Sequence, residues 1–217
     1  MAEGKSVYTG GVKKLIKGVV EFREKVRPSM LGKFEQLALG QKPDVLLVAC
    51  SDSRVAVNVF ASTDPGDMFV LRNVGNIVPP QGSPHAAYFE GALDFALSSL
   101  DVRHIVICGH SECGAMIAIQ KGLGSLTSQG LKDWLKDGID GNFKSVDYNS
   151  LSQENVLLQL EHLKTYPQVR ERLREGRIML HGWFFNIKTA DVYHYSFDNM
   201  AFELLDAEHA EALLKKL

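Results

Sequence analysis

The chain has 217 residues, 45% apolar and 23% charged, the proportions of an ordinary globular protein with enough length to bury a substantial core. With 24 Lys and Arg against 26 Asp and Glu the net charge is −2, which gives no electrostatic reason to expect a nucleic-acid or anionic-membrane partner. No apolar run reaches a membrane span, and the start of the chain leads into a charged amphipathic segment instead of a signal core. The three cysteines fit no disulfide pattern, so the expectation is a cytoplasmic protein with metal or thiol chemistry.

Val12, Leu15, Ile16, Val19 and Val26 recur at helical spacing and predict an amphipathic helix over 11–26. Arg27-Pro28 is expected to stop it, and a short helix over about Met30–Leu39 ends at Gly40. This start reads as a helical arm, residues 1–30, on a single domain spanning 1–217. Its apolar stripe either folds back on its own domain or covers a neighbouring subunit. Val45–Ala49 is a continuous apolar run and predicts a strand buried on both faces. It ends in Cys50-Ser51-Asp52-Ser53-Arg54. A helical turn over Val55–Phe60, a tight turn at Asp64–Asp67 and a strand over Met68–Arg72 follow. Residues 84–99 predict a helix with Tyr88, Ala92, Phe95 and Ala96 on its packed side. His104–Cys108 is another apolar strand and runs straight into Gly109-His110-Ser111-Glu112-Cys113-Gly114, with a helix from Ala115. A short helix around Trp134 ends near Gly138. Ser150 and Gln153 fit a capping box for a helix through Leu163, and Pro167 suits the first turn of the helix Gln168–Glu175. Ile178–Ile187 and Val192–Phe197 predict two strands, and the tail, 202–217, ends in a helix. Strands alternating with helices argue for an α/β fold with a mainly parallel central sheet flanked by helices.

Two buried strands thus end in Cys/His clusters, and open parallel sheets place their ligand sites at that carboxyl edge. Cys50, His110 and Cys113 supply two thiolates and an imidazole, a donor set suited to Zn2+ with a fourth position left open. Alternatives stand beside this reading. Cys108 would complete a closed structural zinc cage, although inside an apolar strand it reads as a small hydrophobe. A metal-free reactive thiol would need a nearby cation or helix start. Asp52 and Arg54, two apart, point to one side if the segment is extended, so that Arg54 holds the carboxylate ionised by a paired contact. Asp52 then accepts a hydrogen bond from a metal-bound water, or ligates the metal itself, or forms a plain surface pair. The remaining histidines read as core or surface groups, with His181 the candidate for a structural hydrogen bond.

Together, Cys50-Ser51-Asp52-Ser53-Arg54 and His110-Ser111-Glu112-Cys113 resemble the signatures of the β-class carbonic anhydrases, and the plant-like branch in particular. The likeness continues through Pro65-Gly66-Asp67, Arg72–Asn76, Val78-Pro79-Pro80 and His181-Gly182-Trp183, and so covers roughly 30–197. The resemblance implies Zn2+ on Cys50, His110 and Cys113, a catalytic dyad of Asp52 and Arg54, and a substrate pocket drawn from Gln41, Phe69, Val74 and the backbone N–H of Gly114. It implies reversible hydration of carbon dioxide to bicarbonate by attack of a zinc-bound hydroxide. The partners it implies are that small-molecule substrate and further copies of the chain, in a homodimer, tetramer or octamer. Leu47, where another branch carries a tryptophan, argues against that branch's regulatory bicarbonate site. The rival readings are hydrolysis of carbon disulfide or carbonyl sulfide on the same fold, and a non-catalytic zinc module.

Overall fold

The computed structural model describes residues 11–139, 143, 145 and 147–215, so the first ten residues of the expected arm and the last two of the tail lie outside the description. The chain forms two compact units, Met1–Gln41 and Lys42–Leu217. In the first, α1 (Gly11–Glu21) passes through a wide π turn, Phe22–Val26, into α2 (Arg27–Leu37). Arg27-Pro28 therefore does not stop the helix. Pro28 sits in the first turn of α2, and the widened turn before it removes the i−4 contact that the proline ring could not accept. None of the residues of α1 is buried, and its apolar stripe of Val12, Leu15, Ile16 and Val19 is more than half exposed throughout.

The second unit is built on a six-stranded sheet: β1 (Val45–Cys50), β2 (Met68–Asn73), β3 (His104–His110), β4 (Met179–Asn186), β5 (Asp191–Ser196) and β6 (Ala201–Leu204). The spatial order is β2-β1-β3-β4-β5-β6; the first four strands are parallel and the last two antiparallel. Around it lie α3 (Val57–Phe60), α4 (Ala86–Asp94), α5 (Gly114–Gln120), α6 (Gln129–Gly138), α7 (Tyr148–Leu163), α8 (Pro167–Arg174) and α9 (Ala207–Leu214). This is the α/β architecture that the alternation of apolar runs and helical periods predicts.

Side chains alternate across β1 and so serve two cores. Leu46 and Val48 join Ile105 and Ile107 of β3 against Phe89 and Leu93 of α4 and Val156, Leu160 and Leu163 of α7. Leu47 and Ala49 join Val106 and Cys108 against Val55, Val57 and Phe185, with Phe60 stacked on Phe185 at 4.6 Å. Two expectations fail locally. Tyr88 is 70% exposed and Phe95 44% exposed, because Phe89 and Leu93 set the inward phase of α4 and a π turn, Phe95–Ser99, shifts it afterwards. The helix through Leu163 begins a turn earlier than a cap at Ser150 would allow. Asp147 is the cap, its Oδ2 accepting from the Ser150 N–H at 2.8 Å.

Candidate metal centre

From β1 the chain crosses to β2 on one side, while β3 lies on the other, so the strand order reverses between β1 and β3. A crevice opens at such a reversal, outside the carboxyl ends of the strands. Cys50 is the last residue of β1 and His110 the last of β3, with Ala49 and Cys108 in register just before them. Cys113 caps the start of α5 three residues later. The ligand atoms of Cys50, His110 and Cys113 lie within 4.8 Å of one another, and all three residues are buried. Among the described residues this is the group of three that could hold a metal ion.

Each donor is aimed by the backbone around it. His110 Nδ1 donates to the Ser111 carbonyl at 2.8 Å, which fixes the tautomer and leaves Nε2 as the bare lone pair. That Nε2 is buried with no hydrogen-bond partner, an orphaned acceptor of the kind a cation satisfies. The Cys50 thiol is held well below its ordinary range, first by a hydrogen bond from Cys113 and further by the N–H groups of Gly75 and Asp52, against the opposing effect of burial. Cys113 is pushed far up, by that same contact with Cys50 and by burial. Two sulfurs within 4.8 Å of one another oppose each other's ionisation, an opposition that a cation between them relieves. The donor set therefore fits a borderline-soft metal. Cys108 stands apart from the group; it is fully buried, and desolvation lifts its thiol to about 12, as suits a small apolar side chain.

Asp52 and Arg54 do pair, though not on an extended segment. Residues 52–55 form a turn closed by Val55 N–H to the Asp52 carbonyl at 3.0 Å. Within it Arg54 Nε and Nη2 donate to Asp52 Oδ1 and Oδ2 at 2.9 and 2.8 Å, and the Arg54 backbone N–H adds a third bond at 2.9 Å. The guanidinium beside it holds the Asp52 carboxyl down at about 2. Nη2 also reaches the Glu112 carbonyl at 3.0 Å, tying the β1 turn to the loop after His110. Glu112 presents that carbonyl with φ 56°, and its own N–H is held by Asn149 Oδ1 at 2.7 Å.

The remaining expected site residues are scattered. Val74 is 43% exposed, and its carbonyl accepts from Trp134 Nε1 at 2.8 Å. Gly114 opens α5 beside Cys113, with open space where a Cβ would stand. Phe69 pairs with Leu46 in the register and packs on Phe95 at 5.7 Å, four residues short of the strand end that carries the thiol. Gln41 is the exposed last residue of the first unit.

Sequence reasoning missed the groups that hold this edge in shape. Arg72 donates to the carbonyls of Cys50 and Asp52, with Nη2 2.8 Å from each. Asn73 clamps Ile77 through both ends of its amide, at 2.7 and 2.8 Å. Between them Gly75 turns with φ 86°, a conformation open to glycine, and lays its N–H 3.4 Å from Cys50 Sγ; a Cβ there would meet Ala115 at 3.1 Å. From α7, Ser152 donates to the His110 carbonyl, Asn155 to that of Gly75, and Gln159 bridges Val78 N–H and the Gly138 carbonyl. Arg72, Asn73 and Gly75 fall in the run Arg72–Asn76 that carries the family likeness, without a role assigned to them, and the α7 groups leave only polar residues at the spacing of an inward helical face.

With the geometry in place, comparison with known proteins is direct. The carbonic anhydrase family model matches residues 45–192. A carbonic anhydrase of Synechococcus elongatus is 38% identical over 198 residues, covering 85% of this chain and 72% of that protein. One from Synechocystis is 40% identical over 200 residues, covering 85% and 71%. The solved structure of the β-carbonic anhydrase CcaA superposes with a TM-score of 0.81 at 36% identity, covering 90% of this chain and 92% of that one. Tetrameric β-carbonic anhydrases of Sordaria macrospora give 0.72 at 28% identity, covering 84% and 95%. The buried Cys–His–Cys group, the sheet that carries it and these relatives agree, and the chain belongs to the β-class carbonic anhydrases, a family of lyases.

Proposed function

We propose that the protein catalyses the reversible, zinc-dependent hydration of carbon dioxide, with Cys50, His110 and Cys113 holding the metal. The observation that carries this reading is the buried, orphaned imidazole nitrogen of His110 between two thiols, beside a carboxylate already ionised. Zinc on these residues supplies the Lewis acidity that makes water a nucleophile near neutral pH. Two thiolates cancel more of its charge than imidazoles would, which moves the working range to the alkaline side.

The chain's own groups do the rest. Asp52, clamped by Arg54, accepts a hydrogen bond from the attacking water and turns its lone pair toward the substrate carbon. Arg54 keeps Asp52 from taking up the proton. Val74 and Phe69 give carbon dioxide an apolar surface, and the Gln41 amide and Gly114 N–H donate to oxygen as negative charge grows there. Phe69 lies away from Cys50 along its strand, and Gln41 belongs to the helical unit, so we assign both to a pocket completed in a homo-oligomer; the Sordaria macrospora relatives are tetrameric. No helix among the described residues is long and apolar enough to cross a membrane.

Stopped-flow hydration of carbon dioxide by the zinc-loaded protein tests the reading: turnover should rise from pH 7 to 9. Background rates across that range, or turnover of carbon disulfide in place of carbon dioxide, would overturn it.

A further inference from the structure

Beyond β2 the loop 73–77 passes the thiol centre, and its backbone is held on several sides. The Gly75 N–H lies 3.4 Å from Cys50 Sγ, and the Gly75 carbonyl accepts from Asn155 Nδ2 at 2.9 Å. Asn73 clamps Ile77 from within the loop. A further anchor comes from α6, where Trp134 Nε1 donates to the Val74 carbonyl at 2.8 Å. That helix is a firm base for the contact: Leu135 is fully buried, and a Cβ on Gly138 would run into the Ile77 side chain. Behind the indole, the His85 ring stands edge-on at 5.7 Å and 87°. His85 Nδ1 in turn donates to Asp137 Oδ2 at 2.8 Å, so that both ends of the chain of contacts rest on α6.

We propose that Trp134, backed by His85 and Asp137, is a positioning residue for the hydration reaction, its indole N–H fixing the Val74–Gly75 wall that carbon dioxide meets. This rests on the function assigned above, in which Val74 gives the substrate an apolar surface. The rival account makes the indole filling for the cluster of Ile77, Ala115, Met116 and Leu135, on which it packs. Two observations favour positioning. The bond lies on the open side of the loop, where Val74 is 43% exposed and water can replace a lost donor, so the indole contributes direction more than stability. Filling also needs no polar backing, whereas here a carboxylate orients an imidazole and the imidazole edge fixes the ring. The wall so held carries both the carbonyl of Val74 and the N–H that Gly75 lays on Cys50 Sγ, so one anchor serves the substrate side and the thiol side together.

Trp134→Phe keeps a ring and removes the N–H. In stopped-flow hydration by the zinc-loaded protein, kcat/KM should fall about tenfold, since misplacement by about 1 Å can cost ~10²-fold and only one anchor of several is lost. The value of kcat should stay within a factor of about two, because at saturation the rate also carries release of the proton to buffer, which this wall does not touch. His85→Ala should lower kcat/KM in the same direction by a smaller factor, and Lys136→Ala, exposed on the same helix, should leave it unchanged. Zinc per chain should match wild type throughout. In zinc-free protein the NMR amide resonance of Gly75 should move in Trp134→Phe and stay in place in Lys136→Ala. With wild type active, an unchanged kcat/KM, a kcat that falls as far as kcat/KM, or a Gly75 resonance that does not move overturns the positioning role and leaves the function standing. Background rates in the wild type overturn the functional reading itself, and the positioning role with it.

Discussion

At the scale of the residue, Asp52 decides between competing accounts of this edge. As a surface ion pair with Arg54 it would be worth little, since such pairs contribute about 0–1 kcal/mol. Its contacts are richer than that: three hydrogen bonds from Arg54, itself fastened to the Glu112 carbonyl, fix a carboxylate that stays charged at every working pH. Such a group is an acceptor of fixed direction, and neither thiol nor His110 needs it in order to bind metal. Asp52→Ala should therefore retain stoichiometric zinc by elemental analysis and lose roughly 10²-fold or more in turnover by stopped flow. If the variant lost its metal, Asp52 would be a ligand and not an orienting base. Normal turnover would reduce the pair to a surface contact.

At the scale of the element, α7 converts the sheet edge into a rigid frame. Ser152, Asn155 and Gln159 are fully buried; they donate to the carbonyls of His110, Gly75 and Gly138, and Gln159 also donates to Asn155 Oδ1 at 2.8 Å. Buried polar groups cost little when paired and about 1–3 kcal/mol each when left alone. Gln159→Leu strands the Val78 N–H and the Gly138 carbonyl, so urea unfolding should show a loss of about 2–4 kcal/mol despite the added apolar surface. A neutral or stabilised variant would make Gln159 mere filling. The same helix marks where sequence reading stopped. Cys50, His110 and Cys113 were legible as one cluster because Cys50 and His110 end apolar strands and Cys113 lies three residues beyond, and a strand and its end are neighbours in the chain. The polar row of α7 was not, because Gln159 and Val78 are 81 residues apart and nothing local announces that pairing. Pro28 misled because a proline that breaks a helix interior is welcome in a first turn, and the π turn that makes the difference has no composition of its own. Tyr88 misled because a shift of one residue, about 100° around a helix, separates it from the inward-facing Phe89.

At the scale of the whole molecule, a row of histidines, His104, His181, His194 and His209, ties β3, β4, β5 and α9 to the protonation of their rings. His181 sits at its centre, with His104 at 3.1 Å on one side and the His194 ring at 6.1 Å on the other. Asp44 and Arg103 lie beyond His104, and Glu203 beyond His194. Burial, and then the neighbouring His104 and His194, press the pKa of His181 down to about 4 from an ordinary value of 6.5. Between those two pH values the unfolded chain takes up a proton that the folded chain refuses. The associated stability is whole above about 6.5 and is lost as the pH falls towards 4, to a limit of about 3 kcal/mol. The carboxylates and the metal ligands also respond to acid, so the informative quantity is the difference between wild type and His181→Gln, which carries no ionisable ring. Thermal melts from pH 7.5 to pH 4.5 should show the wild-type Tm falling more steeply than that of the variant, with the two curves converging at the acid end. Parallel curves would mean that His181 is protonated as easily in the folded protein as in the unfolded chain, and that the row is held by packing without any electrostatic cost of burial.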